Sequence, residues 1–356
     1  MYTNYEQLID KFIKTGASDL HVTADELPYI RIHGSIEPLE GEGTITNEQL
    51  AKMSLAMVGE EKFADFKRDH ELDMAVNFGE TRLRLNLYRQ QCKIAWALRA
   101  LPSKFFPLDK LGLPLQICEQ ARTLQKGLVL VTGATGSGKS TTLASIINSI
   151  NETRPCHIFT IEDPVEYRHF NKKAFISQRE VGDDTVSFHE ALRRVLREDP
   201  DVVLIGEMRD RITMQAALTL AETGHLTFAT LHTSEAIQTV TRIIGSFPAS
   251  EQEQIRTQLA TTLNLIISQQ LVPWDDNQGR SLAAEILVAT PAVKAMIREN
   301  KIHQISSAMQ TGTQLGMNTM NKALANLYAQ GVIGKATAVQ YSLDKEDLQR
   351  TLSVIR

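Results

Sequence analysis

The chain has 356 residues, long for one domain and short for three, so about two domains are expected. Its formal net charge of -4, with 22% charged residues, excludes a bulk electrostatic attraction for nucleic acid or anionic lipid. About 18 apolar residues in a row occur nowhere, and the opening MYTNYEQLIDKF lacks a basic start followed by an apolar run. The expectation is therefore a cytosolic protein with no secretory leader and no transmembrane segment.

From the N-terminus, Leu8, Ile9, Phe12 and Ile13 fall at helical spacing, and Gly16 follows as a stop. SDLHVTA and YIRIHGSI alternate as two short strands. Helical patterns around 47–58 and 60–68 then lead to the strands LDMAVNFG, RLRLNLYRQ and KIAWALRAL, so residues 1–100 read as an α+β module. Residues 101–114, LPSKFFPLDKLGLP, are rich in proline without a clean period and read as an interdomain linker and hinge. The three cysteines, Cys92, Cys118 and Cys156, form no Cys-x-x-Cys pair and read as small buried hydrophobes rather than a zinc knuckle or disulfide framework.

Beyond the linker strands and helices alternate: GLVLVTG, a helix from Ser140, HIFTIED, a helix near 188–198, DVVLIG, a helix near 211–223, then LTFATLH. That order predicts an α/β domain over 115–285, a mostly parallel sheet with helices on its faces. After about residue 250 the patterns turn mostly helical, including SEQEQIRTQLATTLNLIISQQ and PAVKAMIREN, and 286–356 reads as a helical C-terminal region.

GATGSGKS, residues 133–140, fits the phosphate-loop pattern G-x-x-x-x-G-K-[ST], with an apolar strand before it and a helix after it. Gly133, Gly136 and Gly138 let the backbone curl so that N–H groups converge on phosphate oxygens, and the helix N-terminus adds its dipole. Lys139 supplies a point charge for the β and γ phosphates, and the Ser140 hydroxyl is a Mg²⁺ ligand. The expected binding set for ATP is Gly133, Ala134, Thr135, Gly136, Ser137, Gly138, Lys139, Ser140 and Thr141.

DVVLIG runs into Glu207, yet the last strand position, where nucleotide-hydrolysing folds usually hold a metal-binding acid, is Gly206. If this strand lies beside the phosphate-loop strand, Glu207 points into the ligand crevice as a general base for water. A second acid is then needed nearby. The strand HIFTI delivers Glu162 and Asp163 to its C-terminal end before Pro164 turns the chain, and Glu162 is the candidate for orienting water or the metal's hydration shell. His232, past the end of LTFATL, can reach the γ-phosphate; His225 sits at that strand's other end. Arg82, Arg84, Arg89 and Arg99 crowd a half-buried sheet of the N-terminal module, and one of them, Arg84 or Arg99, is expected to supply transition-state charge from a neighbouring subunit.

In order, GATGSGKST, TIEDPVEY, ALRRVLREDPDVVLIGEMRD and AETGHLTFATLHT resemble the four signature boxes of the type II/IV secretion ATPase superfamily: Walker A, Asp box, atypical Walker B and His box. From GASDLHV through LGMNTMNKAL the chain is similar to the branch that powers type IV pilus retraction. The resemblance implies a PAS-like N-domain, a RecA-like P-loop ATPase domain and a homohexameric ring in which the N-domain packs on the next subunit's ATPase domain. ATP with Mg²⁺ would bind between domains, at the cytoplasmic base of the pilus, against an inner-membrane platform protein. By motif match, Lys139 is the Walker lysine, Glu207 the base, Glu162 the Asp-box acid, and His225 with His232 the His-box pair; glycine before the glutamate belongs to this pattern. Retraction is favoured over assembly because a longer N-terminal extension and a tetracysteine insertion are missing. In addition, TPAVKAMIRENKIHQI (290–305) resembles the retraction motif AIRNLIRE, agreeing at Ile297, Arg298 and Glu299 and departing at Val293, Lys294, Ala295 and Met296.

The alternatives are an accessory retraction ATPase, a related secretion ATPase, a RecA-like nucleic-acid translocase and a nucleotide-regulated adaptor. The acidic balance and 6% aromatic content argue against the translocase. An adaptor would be expected to lack Lys139 or Glu207, and both are present.

Overall fold

Along one strand Leu83, Leu85 and Leu87 are fully buried while Arg84 between them faces solvent, the period of two that defines a sheet with one packed side. Each such leucine stabilises the fold by about 2 kcal/mol. The structure, a computed structural model, describes residues 4–354 except 33, 42, 80, 103 and 277. It divides into two compact units, Met1–Lys104 with Pro164–Arg168, and Phe105–Asp163 with His169–Arg356.

The first unit contains α1 (Tyr5–Thr15), β1 (Asp19–Thr23), β2 (Tyr29–Ile32), β3 (Ser35–Pro38), α2 (Asn47–Val58), α3 (Glu60–Asp69), β4 (Glu71–Phe78), β5 (Thr81–Gln90) and β6 (Lys93–Ala100). Among the described residues its strands form one six-stranded sheet in the order β3-β2-β1-β6-β5-β4. Gly16 ends α1 in the left-handed conformation, as the sequence suggested, and Asn4 caps its start. YIRIHGSI is not one strand: β2 and β3 pair antiparallel as a hairpin, with His33 outside the described residues. Trp96 is fully buried and satisfies its indole by donating to Ser54 Oγ of α2 at 2.8 Å.

The second unit runs α4 (Leu115–Thr123), β7 (Gly127–Thr132), α5 (Lys139–Thr153), β8 (His157–Glu162), β9 (Phe175–Glu180), α6 (Phe188–Val195), β10 (Val202–Ile205), α7 (Arg211–Glu222), β11 (Leu226–Leu231), α8 (Ala236–Gly245), α9 (Gln252–Thr262), β12 (Leu263–Pro273), β13 (Arg280–Val288), α10 (Pro291–Arg298), α11 (Ile305–Thr311), α12 (Met320–Ala329), α13 (Lys335–Tyr341) and α14 (Lys345–Val354). Its sheet has the order β13-β12-β7-β11-β10-β8-β9, parallel throughout except for the edge strand β13. β7, β10 and β11 are buried along their whole length, as strands covered on both faces must be. Ile117 of α4 and Ile146, Ile147 and Ile150 of α5 pack in the core of one face. Leu192, Met214, Ile243, Leu259 and Val293, from α6 to α10, fill the other.

Further sequence expectations change. SEQEQIRTQLATTLNLIISQQ is not a single helix: α9 stops at Thr262 and the chain turns directly into β12, which pairs parallel to β7. A continuous apolar run has no period that separates a buried strand from a buried helix. The boundary expected at residue 285 falls inside β13, and Leu111 and Leu113 of the expected linker are buried in the second unit's core. Finally, β10 does not lie beside β7, because β11 is inserted between them.

Candidate active site

Four adjacent parallel strands, β7, β11, β10 and β8, end on the same side, and each is followed by one of the residues picked out by the sequence. Ligands of open α/β sheets bind at such C-terminal ends.

β7 leads into the loop Gly133–Gly138 and then α5. Gly133 has φ 143°, and a Cβ there would lie 2.4 Å from the Gln269 carbonyl, so β12 approaches too closely for any side chain. Gly136 and Gly138 also take positive φ, at 80° and 90°. Gly138 leaves the start of α5 without a side-chain cap, and the N-terminus of a helix is a favourable place for an anion. The Lys139 ammonium donates to the carbonyls of Gly133 and Ala134, at 2.8 and 3.0 Å, which holds it over the loop it serves. Two further β12 groups buttress the loop. Gln269, almost fully buried, donates to the Ser137 carbonyl at 3.3 Å, and Ser268 shares a hydroxyl hydrogen bond with Thr132 at 2.8 Å.

β10 ends at Gly206. Asp210 caps α7 through Thr213 N–H at 2.9 Å, so only Glu207, Met208 and Arg209 separate Gly206 from that cap. Thr230 of β11 clamps the turn at both ends: its hydroxyl donates to the Gly206 carbonyl, and its carbonyl accepts Met208 N–H at 2.9 Å. Met208 is thereby buried, and Glu207 lies past the C-terminal end of the strand. One Glu207 oxygen lies 3.1 Å from His232 Nε2; the other accepts Arg209 Nε–H at 2.9 Å. The insertion of β11 explains the contact. It places His232 directly after the strand that pairs with β7 and next to the strand that carries Glu207.

The Gly206 position also has a steric reason. A Cβ there would lie 3.1 Å from the Ile161 carbonyl and 3.3 Å from Glu162 Cα, so β8 occupies the space an acid would need. Glu162 stands on β8 instead, fixed by a hydrogen bond from Thr160 Oγ1 at 2.7 Å and one from Gln178 of β9 at 3.3 Å.

The other expected residues are placed elsewhere. His225 precedes β11, at the opposite end of the strand from His232, roughly 20 Å along an extended chain. Its Nδ1 pairs with Thr223 and the Leu220 carbonyl, and its own carbonyl accepts Gly127 N–H. It does not join His232 within this chain, because the six-residue strand between them is extended. Arg84 and Arg99 belong to the first unit and face each other across β5 and β6. Arg99 is paired with Asp19 at 2.7 Å, while Arg84 is exposed. Arg209, Gln269 and Thr160 were not singled out by the sequence; the polar run Ser268, Gln269 and Gln270 interrupting an apolar stretch was the available signal for Gln269.

Beside the loop a cavity of about 750 Å³ is lined on one wall by Gly138, Thr141 and Thr142, on another by Phe106, Leu271 and Trp274. Among the described residues no three His, Cys, Asp or Glu side chains converge to hold a metal ion. Mg²⁺ fits this site nonetheless, since it keeps several waters and binds through one or two protein oxygens plus substrate phosphates. Ser140, in the first turn of α5, and Glu162 are such oxygens.

A phosphate loop buttressed from β12, with an imidazole one strand away in contact with a carboxylate two strands away, belongs to an ATPase. The family model described as "Type II/IV secretion system protein" matches residues 2–335, and the chain belongs to that family. It is 43% identical over 331 residues to the "Type IV pilus retractation ATPase PilT" of Pseudomonas aeruginosa, covering 91% of this chain and 94% of the relative. It is 38% identical to the "Type IV pilus ATPase PilU" of the same organism, covering 97% of this chain and 90% of the relative. A solved structure titled "Crystal Structure of the Pilus Retraction Motor PilT and Bound ADP" superposes with a TM-score of 0.91 at 44% identity, covering 98% of this chain and 100% of that one. No helix among the described residues is long and apolar enough to cross a membrane.

Proposed function

We propose that this ATPase powers retraction of a type IV pilus, working as a homohexamer of RecA-like domains, each preceded by a PAS-like domain, at the cytoplasmic face of the inner membrane. The observation that carries the hydrolytic reading is the 3.1 Å contact between Glu207 and His232 at the end of the sheet that also carries the phosphate loop. Similarity to a pilus retraction ATPase over nine-tenths of both chains supports the motor assignment.

The loop N–H groups and the start of α5 receive the phosphates, and Lys139 leaves its two carbonyls for the β and γ oxygens. Ser140 and Glu162 would hold Mg²⁺, whose charge would offset that of the phosphates. Glu207 accepts the proton of the attacking water. His232 orients that carboxylate and, being next to the loop strand, contacts the γ-phosphate. The cavity beside Thr141, with Trp274 and Phe106 in its wall, takes the base and ribose. Charge on the side away from the loop comes from an arginine of a neighbouring subunit; exposed Arg84 is better placed than Arg99, which must first leave Asp19.

Glu207→Gln should lower kcat by about 10² to 10⁴ while ADP still binds, since a base is lost and no binding group is. In cells whose single copy carries this variant, electron microscopy should show an excess of surface pili and loss of surface motility. Bald cells would make the protein an assembly motor. A second reading, an accessory retraction ATPase, is favoured by the four departures from the retraction motif in residues 293–296. An unchanged pilus count would select it.

A further inference from the structure

Glu285 lies in the middle of β13, one strand beyond the β12 residues that buttress the phosphate loop. It is buried, and burial together with nearby Glu235 pushes its carboxyl above the ordinary glutamate range. A charge so placed is costly unless its oxygens are needed.

Both are used, and both on helix starts. One oxygen accepts the N–H of Ala236, first residue of α8, at 2.7 Å; the other accepts the N–H of Met320, first residue of α12, at 3.4 Å. First-turn N–H groups have no partner inside their helix and carry its positive dipole end, so a carboxylate suits each. α8 has no side-chain cap from its own N-cap residue, Glu235, and Glu285 supplies the acceptor. α12 is further strapped to β13 by paired backbone bonds between Ile286 and Asn318.

The two helices serve opposite ends of the site. Only Thr233, Ser234 and Glu235 separate His232 from α8. α12 contributes Ala323, Asn326 and Leu327 to the wall of the cavity beside Thr141. We propose that Glu285 is a positioning residue for ATP hydrolysis: one carboxylate joins the helix that sets His232 to the helix that lines the cavity beside the phosphate loop, so the two ends of the nucleotide site are set together. This rests on the assignment of His232 and Glu207 to the chemistry.

Glu285→Gln tests it selectively. The amide is neutral and has one oxygen for two helix-start N–H groups, so it weakens the hold on α8, which sets His232, and can no longer join α8 to α12. Steady-state ATPase, fluorescent-ADP binding and thermal unfolding would be measured on full-length wild type, Glu285→Gln, His232→Gln and the double variant. The expected result is a kcat reduced about 10- to 10²-fold, the size typical of a displaced catalytic group, with KM and ADP affinity within about twofold. The double variant should be no slower than His232→Gln alone by more than about twofold, because both changes act on one element.

A lowered melting temperature with unaltered kcat per folded protein would make Glu285 merely structural and overturn the proposal. So would a kcat loss that multiplies in full with that of His232→Gln. Wild-type turnover in Glu285→Gln beside an impaired His232→Gln would sink the proposal alone, whereas wild-type turnover in His232→Gln would sink the reading of the site and the proposal with it.

Discussion

At Gly206 a single missing side chain decides how the site distributes its acids. The nearest atoms to an added Cβ, the Ile161 carbonyl and Glu162 Cα, are both backbone of β8 and cannot rotate aside. A substitution there must push β8 from β10, the two strands that deliver Glu162 and Glu207. Gly206→Asp, which restores the acid most nucleotide-hydrolysing folds carry at this place, should therefore destabilise by about 1–3 kcal/mol, as overpacking does. It should also reduce kcat rather than raise it. A calorimetric melting temperature equal to wild type would show that β8 yields and that the steric account is wrong. Gly133 is demanded in the same way by the Gln269 carbonyl, whereas Gly136 has no atom within 4 Å and needs glycine only for its positive φ.

Among the elements, α10 shows best which side chains are structural. Val293 and Ile297, four apart, are fully buried in the core of the helix-covered face, while Arg298 and Glu299 are exposed. Thr290 caps the helix and Pro291 starts it, so its position owes nothing to the exposed pair. Ile297→Ala should cost about 2–5 kcal/mol. Arg298→Ala should stay within about 0.5 kcal/mol of wild-type stability and keep basal ATPase activity. If this helix meets the pilus machinery, Arg298→Ala nevertheless loses surface motility; retained motility would leave the resemblance to the retraction motif without functional weight. Lys294, which departs from that motif, donates to the Thr261 carbonyl at the end of α9 at 3.2 Å, and partial burial lowers its pKa.

For the molecule as a whole, the second unit is held at both of its entry points by one aromatic pair. Phe105, its first residue, stacks on His169, where the chain returns to it, with ring centroids 4.6 Å apart. Burial, with a smaller contribution from Lys172, pushes His169 down to about 4. The folded pKa lies below the unfolded value, so the unfolded chain binds the extra proton first. The stability this neutral histidine contributes is complete above pH 6.5 and is lost as pH falls toward 4, at most about 3 kcal/mol. His169→Phe should keep the stack and flatten the fall in melting temperature between pH 6.5 and 4. An unchanged slope would mean that carboxylates, not His169, set the acid limit.

The sequence by itself determined what is local. Glycines at 133, 136 and 138 with Lys139, mainly apolar strands leading to Glu162, Gly206 and His232, and the helix stop at Gly16 each follow from a few consecutive residues. Backbone geometry and period are short-range properties, which is why the phosphate loop and the strands around it were legible, while the four boxes came from the resemblance to a known family. The tertiary structure alone decided whatever depends on order across the sheet. It placed β11 between β7 and β10, brought His232 onto Glu207, and left His225 at the far end of the same strand. It turned the residues after Thr262 into β12, whose Gln269 supports the phosphate loop from more than a hundred residues away. It also gave Glu285 two helix starts as partners. No sequence period encodes such contacts, because a buried polar side chain is explained only by the distant backbone groups that satisfy it.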